Sequence, residues 1–202
     1  MTEEEVLELF EKLGALLKGH FKLSSGLHSE KYLQCALVLQ YPDIAEKISK
    51  ALAKRFSGEK IDAVIGPALG GVTLAYEVAR AIGSRGIFAE RRDGPSASAE
   101  TSCGRAGKMV LRRGFSITKG EKLLVVEDVV TTGGSTKEVI DLVKSFGADV
   151  VGVGSIIDRS GTGIDFGAPF KCLAKVKVET FEEGNCPLCK DKMPVTKPGS
   201  RR

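Results

Sequence analysis

The chain carries two adjacent carboxylates, Glu127 and Asp128, at the end of an apolar run and just before a loop rich in hydroxyl groups and glycine. The loop, residues 131–136, reads Thr-Thr-Gly-Gly-Ser-Thr and leads into a predicted helix. Backbone N–H groups at the start of a helix point at an anion, and the helix dipole favours negative charge there. Glycine lets the backbone approach an anion closely, and hydroxyl groups add donors. The loop therefore predicts a phosphate site.

The two carboxylates would repel a phosphate, so we infer that they serve another part of the same ligand. The vicinal hydroxyl groups of a ribose can each donate a hydrogen bond to a carboxylate. The order of carboxylates, hydroxyl-rich loop and helix thus predicts a ribose 5-phosphate site over residues 127–136. The alternative is that both carboxylates are ordinary strand-end charges before a Gly-Gly turn. The segment contains neither the Gly-Lys-Ser/Thr of a P-loop nor a Gly-x-Gly-x-x-Gly dinucleotide fingerprint.

The elements around this site alternate between apolar runs and helical periodicity. The patterns predict helices over residues 3–17, 42–56, 71–81 and 135–146, and strands over residues 62–67, 86–89, 122–130 and 150–157. Residues 21–40 mix turn residues with apolar ones and predict irregular chain that leads into an extended segment. The alternation predicts an α/β fold with a doubly wound, mainly parallel sheet flanked by helices. Ligands bind such sheets beyond the carboxyl ends of the strands.

A long segment without periodicity, residues 91–107, follows the strand predicted over residues 86–89. It is polar and rich in glycine, serine and alanine. A loop this long in a compact domain is usually functional or disordered. The segment is therefore either a mobile lid or a surface insertion without a chemical role.

The composition bounds the class of protein. The 202 residues suit one domain, and 42% hydrophobic residues suffice for a core. No apolar run approaches the about 20 residues of a membrane helix, so no membrane association is expected. The acidic start Thr2-Glu3-Glu4-Glu5 predicts a helix capping box rather than a signal peptide. The net charge of +4 indicates either a mildly basic surface or steering of anionic small molecules. The dense basic runs lack interleaved aromatic residues, so we expect no nucleic-acid partner.

The five cysteines have no framework spacing, which indicates a reduced, cytoplasmic protein. Cys186 and Cys189 have the spacing of a zinc knuckle, but a tetrahedral site needs four ligands. Cys172, or a second copy of the pair across a dimer, could complete the set. Otherwise the pair is a thiol pair or part of a turn. Because the ligand set is incomplete, no metal ligand is predicted.

Residues 125–136 closely resemble the PRPP motif of the type I phosphoribosyltransferases. The resemblance implies transfer of a phosphoribosyl group from 5-phosphoribosyl 1-pyrophosphate (PRPP) to a nitrogenous base, with Mg²⁺ as the cofactor. It implies PRPP-binding roles for Glu127, Asp128, Val129, Val130, Thr131, Thr132, Gly133, Gly134, Ser135, Gly70 and Arg91. Asp128 is also expected to act in catalysis. Residues 66–71 would form the pyrophosphate loop, with a cis peptide bond between Ala68 and Leu69.

Two further segments indicate the base. Residues 21–32 resemble the N-terminal base-binding segment of orotate phosphoribosyltransferases, and residues 157–161 resemble the strand end where that family's arginine meets orotate. A guanidinium suits this substrate because arginine pairs bidentately with planar carboxylates. The resemblance implies that Ser24, Thr131 and Arg159 bind orotate and that the product is the orotidine 5′-monophosphate of de novo pyrimidine biosynthesis. Read alone, Arg159 could be an exposed charge, and residues 24–29 a polar turn.

Two other functions share the PRPP motif. A purine phosphoribosyltransferase would use a different base site, so Arg159 and residues 24–29 discriminate against it. A PRPP-sensing transcription regulator without catalysis would carry a separate DNA-binding domain. The segment before Phe21 is too short for such a domain.

The chain departs from the family pattern in three places. Glycine stands at position 70 and serine at position 24, where many members have lysine, and residues 91–113 contain no histidine. Arg91 and Arg92 match the start of the family's mobile catalytic loop, and its other candidate charges are Lys108, Arg112 and Arg113. Of these we take Lys108 as catalytic.

The resemblance also implies how the chain is organised. The loop over residues 91–113 would close over the site as a lid and reach into the neighbouring subunit of a homodimer. The chain would form one domain, in which a hood over residues 1–40 and a Cys-x-x-Cys tail over residues 182–202 flank a PRPP-binding core over residues 41–181.

Overall fold

The computed structural model describes residues 1–23, 26–92, 107–161 and 163–197. Within these ranges a six-stranded sheet has the order β5-β4-β3-β6-β7-β8. Its strands are β3 (Ala63–Pro67), β4 (Arg85–Arg91), β5 (Met109–Val110), β6 (Lys122–Val130), β7 (Asp149–Asp158) and β8 (Phe170–Lys175). β5, at one edge, pairs antiparallel with β4, and the remaining pairs are parallel. The predicted mainly parallel α/β sheet is confirmed.

Helices cover both faces of this sheet. On one face α3 (Pro42–Lys54) and α4 (Gly70–Ile82) share an apolar cluster with α1 (Glu3–Lys12) and the short α2 (Ala36–Leu39). On the other face α5 (Gly134–Ser145) forms a second cluster. Alternate residues of β3 and β6 divide between the clusters: in β6, Leu124 joins the first and Val125 the second. A parallel sheet needs this two-sided cover because both of its faces are apolar. None of the helices in the described ranges has the length and apolar character needed to span a bilayer.

The N-terminal segment differs from its sequence prediction. α1 ends at Lys12, and Gly14 turns the chain with a φ of 64°. Leu16 and Leu17 therefore lie in β1 (Leu16–Lys22), and the prediction of a helix as far as residue 17 was wrong. A glycine just beyond the last helical turn often adopts a left-handed conformation, which ends the helix. The spacing of apolar residues gives no indication of such an end.

The predicted irregular segment over residues 21–40 contains an ordered hairpin. β1 pairs antiparallel with β2 (His28–Leu33), and α2 follows. The C-terminal tail packs on this hairpin: the Lys22 amide donates to the Thr196 carbonyl at 2.9 Å, and His28 and Phe181 exchange two backbone hydrogen bonds of 2.8 and 2.9 Å. The tail includes a 3-10 turn (Glu183–Asn185) and α6 (Pro187–Lys190). The hairpin and the tail thus form one structure. From here on, the hood means this hairpin together with the tail.

The direction in which the chain builds the sheet reverses between β3 and β6. From β3 the chain continues outward to β4 and β5, and from β6 it continues the other way to β7 and β8. Loops that leave the carboxyl ends of two such strands diverge and open a crevice, where doubly wound folds bind ligands. The pyrophosphate loop predicted over residues 66–71 follows β3, and the acidic pair ends β6. The topology therefore brings both to this crevice.

Candidate active site

The loop after β6 leads directly into the N-terminus of α5. Gly133 has a φ of 70°, and a Cβ atom built on it would lie 2.9 Å from both Ile164 Cδ1 and Phe166 Cε1. Any other residue would meet backbone strain and a steric clash. Gly133 is the N-cap of α5 and offers no side-chain hydrogen bond to the helix. Amides of the first turn are therefore available to an anion, as the predicted phosphate site requires.

The other residues predicted to bind PRPP surround this turn. Thr131 and Thr132 are exposed, Gly134 and Ser135 are half-buried, and Val129 and Val130 end the strand that delivers the loop. The predicted PRPP motif thus consists of the end of β6, the turn that follows it and the first residues of α5.

Glu127 and Asp128 have different surroundings. Thr136, fully buried in the first turn of α5, donates a hydrogen bond from Oγ1 to Glu127 Oε2 and so links the strand end to the helix. The sequence predicts Thr136 as part of the hydroxyl-rich phosphate loop, and it does not predict this hydrogen bond to Glu127. Asp128 accepts a hydrogen bond of 3.0 Å from the Val129 amide. Burial raises the pKa of the Asp128 carboxyl, and that hydrogen bond opposes the rise.

The loop after β3 packs tightly on β6. Its Ala68–Leu69 peptide bond is cis, which confirms the prediction from the resemblance. A Cβ atom built on Gly66 would lie 2.6 Å from the Gly71 carbonyl oxygen and 3.0 Å from that of Val126. Glycine at position 66 therefore allows the loop to approach the neighbouring strand. α4 begins directly after this loop, and its N-cap Leu69 makes no side-chain hydrogen bond to the helix. A second helix N-terminus thus lies beside the acidic pair.

Arg159 follows β7 at the same edge of the sheet. Its amide donates to the Val130 carbonyl at 2.8 Å, which holds the ends of β6 and β7 side by side. Its Nε is a buried donor that has no hydrogen-bond partner in the described part of the chain. Burial lowers the pKa of the Arg159 guanidinium, and Tyr32 opposes that effect. An unpaired buried donor costs free energy, so Arg159 Nε is a donor that a ligand could satisfy.

Tyr32, in β2, connects the hood to this edge. Burial raises the pKa of the Tyr32 phenol, the Asp128 carboxylate adds to the rise, and Arg159 opposes it. The phenol therefore lies within charge-interaction range of a predicted PRPP residue and a predicted orotate residue. Tyr32 belongs to the segment that resembles the family's base-binding segment, but sequence reasoning assigns it no role of its own. Ser24, the other predicted orotate residue of this segment, lies outside the described residues.

Arg91, at the end of β4, is already engaged. Its guanidinium donates to both carboxylate oxygens of Glu138 in α5, at 2.8 and 3.1 Å, and to the Gly107 carbonyl at 2.8 Å. A role in PRPP binding would require Arg91 to share or exchange these partners. Glu138 is a residue that sequence reasoning missed, because nothing local pairs it with position 91.

Lys108 is exposed at the base of the predicted lid, where its carbonyl accepts a hydrogen bond of 3.0 Å from the Arg92 amide. Two other candidate charges of the lid, Arg112 and Arg113, form ion pairs with Glu90 at 3.7 and 3.3 Å. Residues 93–106 of the lid lie outside the described residues. Within the described residues, Lys108 thus differs from Arg91, Arg112 and Arg113, whose guanidinium groups are engaged in ion pairs.

The Cys-x-x-Cys pair of the tail lies in the hood, away from the crevice. Among the described residues its neighbours are His20 and His28, and the four potential ligand atoms lie within 4.8 Å of one another. Cys172, one of the alternatives for completing the set, is not a member of this group. Sequence reasoning missed the two histidines because they are far from the cysteines along the chain.

Comparisons with known proteins agree with this geometry. The family model of the phosphoribosyl transferase domain matches residues 37–184, a range that contains both loops of the crevice and Arg159. An orotate phosphoribosyltransferase of Caldanaerobacter subterraneus subsp. tengcongensis is 57% identical over 202 residues, which cover 100% of each chain. One of Thermotoga maritima is 50% identical over 196 residues, which cover 97% of this chain and 98% of the relative.

Solved structures show the same fold. An orotate phosphoribosyltransferase from Aeropyrum pernix superimposes with a TM-score of 0.67 at 26% identity, covering 85% of this chain and 93% of that one. An adenine phosphoribosyltransferase from Thermoanaerobacter pseudethanolicus superimposes with a TM-score of 0.60 at 20% identity, covering 72% of this chain and 88% of that one. At this identity the similarity shows only a common fold. The relatives with 50% and 57% identity match over nearly their full length. On this evidence the chain belongs to the orotate phosphoribosyltransferase family.

Proposed function

We propose that this chain transfers the phosphoribosyl group of PRPP to orotate, which yields orotidine 5′-monophosphate and pyrophosphate in pyrimidine biosynthesis. The observation that carries the proposal is the arrangement at the crevice. The N-termini of α4 and α5 flank the carboxylates of Glu127 and Asp128. PRPP has an anionic group at each end and ribose hydroxyls between them. Two anion sites with carboxylates between them match that molecule in order and in charge.

The reaction needs little covalent chemistry from the protein. A ring nitrogen of orotate forms a bond to the anomeric carbon and gives up its proton, which pyrophosphate or water can accept. The bond from that carbon to pyrophosphate oxygen breaks at the same time, and its electron pair leaves with pyrophosphate. Positive charge develops on the ribose ring during this exchange. The Asp128 carboxylate would stabilise that charge, and the helix N-termini would hold the two anionic groups in place.

Orotate would bind between the hood and the end of β7. Its carboxylate is a planar anion that the Arg159 guanidinium can bind with two parallel hydrogen bonds. The unpartnered Nε of Arg159 supports this assignment, and the proximity of Tyr32 supports a base site beneath the hood. Thr131 and Ser24 complete the proposed orotate site.

Mg²⁺ is proposed as the cofactor. The donors at the crevice are carboxylate oxygens, which suit Mg²⁺, an ion that usually binds one or two carboxylates together with substrate phosphates. Glu127 and Asp128 would hold it, directly or through water. When bound with PRPP, Mg²⁺ offsets negative charge on pyrophosphate.

We also propose a cytoplasmic homodimer in which the loop over residues 91–113 closes over the site. Tyr41 and Tyr76 are 44% and 63% exposed, and such aromatic surface suits coverage by a second subunit. The described cysteines Cys35, Cys172, Cys186 and Cys189 are free thiols, in keeping with a reducing compartment. Light scattering of the purified chain at several concentrations tests the dimer.

The test of the activity is PRPP-dependent loss of orotate absorbance in the presence of Mg²⁺. Adenine, hypoxanthine and uracil replace orotate in parallel reactions. We expect turnover with orotate and background rates with the other bases. Turnover of a purine at a rate comparable to orotate would overturn the substrate assignment, and absence of turnover with any base would overturn the catalytic one.

A further inference from the structure

Four side chains that can bind metals converge in the hood. His20 lies in β1, His28 in β2, Cys186 at the N-cap of α6 and Cys189 within α6. Their potential ligand atoms all lie within 4.8 Å of one another. The two histidines frame the loop of the hairpin, while the cysteines come from the C-terminal tail. The group therefore joins two distant parts of the chain, since His20 and Cys186 are 166 residues apart in the sequence.

The distances between these ligand atoms lie on both sides of those of a tetrahedral site. Cys186 Sγ and Cys189 Sγ each lie 3.7 Å from His20 Nε2, and Cys189 Sγ lies 3.2 Å from His28 Nδ1. The two imidazole nitrogens lie 2.8 Å apart. With Zn–S bonds of about 2.3 Å and Zn–N bonds of about 2.0–2.1 Å, tetrahedral geometry separates the donors by about 3.3–3.8 Å. An ion at the centre therefore requires shifts of a few tenths of an ångström.

The orientation of His20 also fits a metal ligand. His20 Nδ1 lies 2.8 Å from the carbonyl oxygen of Met193, to which it can donate a hydrogen bond. A histidine that donates from Nδ1 presents the lone pair of Nε2, and this is the nitrogen that faces the thiols. Metal-bound histidines are commonly held in this way, with the second nitrogen donating to a backbone carbonyl.

Burial distinguishes the group from a chance surface cluster. His20 is 4% exposed, His28 is 2% exposed and Cys186 is fully buried, while Cys189 is partly exposed. His28 faces the group with Nδ1, which lies 2.8 Å from His20 Nε2 and 3.2 Å from Cys189 Sγ. Two buried imidazoles thus present nitrogen atoms to two thiols, an arrangement in which one metal ion could be the common partner of all four groups.

We propose that His20, His28, Cys186 and Cys189 bind one Zn²⁺ as a structural site. The soft thiolates and the imidazoles match Zn²⁺ and not Mg²⁺, which requires oxygen ligands. The two thiolates balance the charge of the ion, and binding releases their protons. All four coordination positions are filled by the protein, which characterises a structural rather than a catalytic zinc site.

The site would hold the tail against the hairpin and would bind a residue near each end of the loop between β1 and β2, residues 23–27. Backbone hydrogen bonds already close this loop, from the Leu23 amide to the Leu27 carbonyl at 2.8 Å and from the Gly26 amide to the Leu23 carbonyl at 2.9 Å. The loop contains the proposed orotate residue Ser24. An effect of the metal on orotate binding rests on the proposed function, whereas metal binding itself does not.

The first measurement is metal content. The chain is expressed with zinc in the medium, its affinity tag is removed, and zinc is quantified by mass spectrometry. We expect about one Zn²⁺ per chain, as a single closed four-ligand site requires. Replacement of the ion by Co²⁺ should produce the visible bands of tetrahedral cobalt and a near-ultraviolet band from thiolate-to-cobalt charge transfer. Metal-free protein as isolated, together with absence of these bands on Co²⁺ addition, would overturn the proposal.

The second measurement compares matched cysteine variants. Cys189→Ser removes a ligand, and Cys172→Ser alters a cysteine of similar partial exposure outside the group. We expect Cys189→Ser to lose bound metal, to melt at a lower temperature and to raise the KM for orotate more than that for PRPP. Cys172→Ser should retain the metal. Full metal content in Cys189→Ser would contradict the ligand assignment. If Cys189→Ser does not fold, the Co²⁺ spectrum of the unaltered chain still decides the proposal. Metal binding without orotate turnover would leave the zinc site standing while the proposed function fails.

Discussion

A Cβ atom built on Gly70 would lie 2.8 Å from Oδ1 and 2.9 Å from Oδ2 of Asp128. The carboxylate therefore occupies the space where a side chain at position 70 would begin, beside the first turn of α4. The positive end of that helix favours the negative charge. The glycine at this position, a departure from the lysine of many family members, thus has a structural consequence: it allows Asp128 to lie against the pyrophosphate loop.

Replacement of Gly70 by alanine should displace Asp128. A contact of 2.8 Å is too short for a carbon and an oxygen atom, so the carboxylate must move. Misplacement of a catalytic group by about 1 Å can lower a rate by about 10²-fold. We expect Gly70→Ala to lower kcat by about 10-fold or more with little change in melting temperature. Gly58→Ala is the control, because a Cβ atom there meets nothing within 4 Å. Equal kcat values for the two variants would show that the position of Asp128 does not matter.

Replacement of Asp128 by asparagine separates catalysis from stability. The loss of the charge that faces the ribose should lower kcat by about 10²- to 10³-fold, the usual effect of removing one preorganised electrostatic group. Stability should respond in the opposite direction. Burial raises the pKa of the Asp128 carboxyl in the folded chain, so the ionised form is disfavoured there.

The sign of the pH dependence follows from that shift. The carboxyl contributes its full stability below its unfolded-state pKa, and this contribution is lost as the pH rises through the higher folded-state pKa. At neutral pH Asp128→Asn should therefore be at least as stable as the parent, and the difference should vanish in acid. Denaturant unfolding at several pH values measures it. A variant that is markedly less stable at neutral pH would contradict the assigned shift, and near-normal turnover would contradict the ribose assignment.

Replacement of Arg159 by alanine should act on orotate. Loss of a charge-assisted pair at a desolvated site costs on the order of 2–5 kcal/mol, which should appear as a higher KM for orotate. The KM for PRPP should change far less. Arg55→Ala is a suitable control, since Arg55 is exposed at the C-cap of α3, remote from the carboxyl edge of the sheet. An orotate KM that matches the control would move the base site away from Arg159.

Replacement of Lys108 by alanine tests the lid. Lys108 is exposed beside the loop, so removal of its charge should lower kcat while orotate binding stays nearly constant. An exposed, flexible charge should contribute less than the about 10²- to 10³-fold of a preorganised donor. Lys54→Ala, on the exposed end of α3, is the matched control.

Limited proteolysis tests the same loop without a variant. Cleavage within residues 91–113 should be fast in the free chain and slow with PRPP and Mg²⁺, because a lid that closes over the ligands shields its own backbone. Equal cleavage under both conditions, together with a Lys108→Ala variant of full activity, would favour the surface insertion without a chemical role.

Local sequence patterns were sufficient to predict the contiguous part of the site. The buried strand, the acidic pair, the hydroxyl-rich turn and the helix of residues 123–136 follow one another, so local patterns suffice to predict both their structure and the ligand. The same is true of the alternating strands and helices that define the doubly wound sheet. Local patterns failed where the local signal was weak. β8 (Phe170–Lys175) is a short edge strand of mixed polarity, and the end of α1 depends on the conformation of Gly14.

Contacts between residues that are distant along the chain could not be predicted in this way. Periodicity indicates which face of an element is buried but not which elements lie side by side, since that depends on the packing of the whole core. Gly70 and Asp128 come together because β3 and β6 are neighbours at the switch point of the sheet. Two histidines of the hairpin meet two cysteines of the tail because the tail folds back onto the hairpin. In the sequence, the Cys-x-x-Cys pair lacks two of the four ligands that a zinc site needs. In the fold, the two histidines of the hairpin supply them.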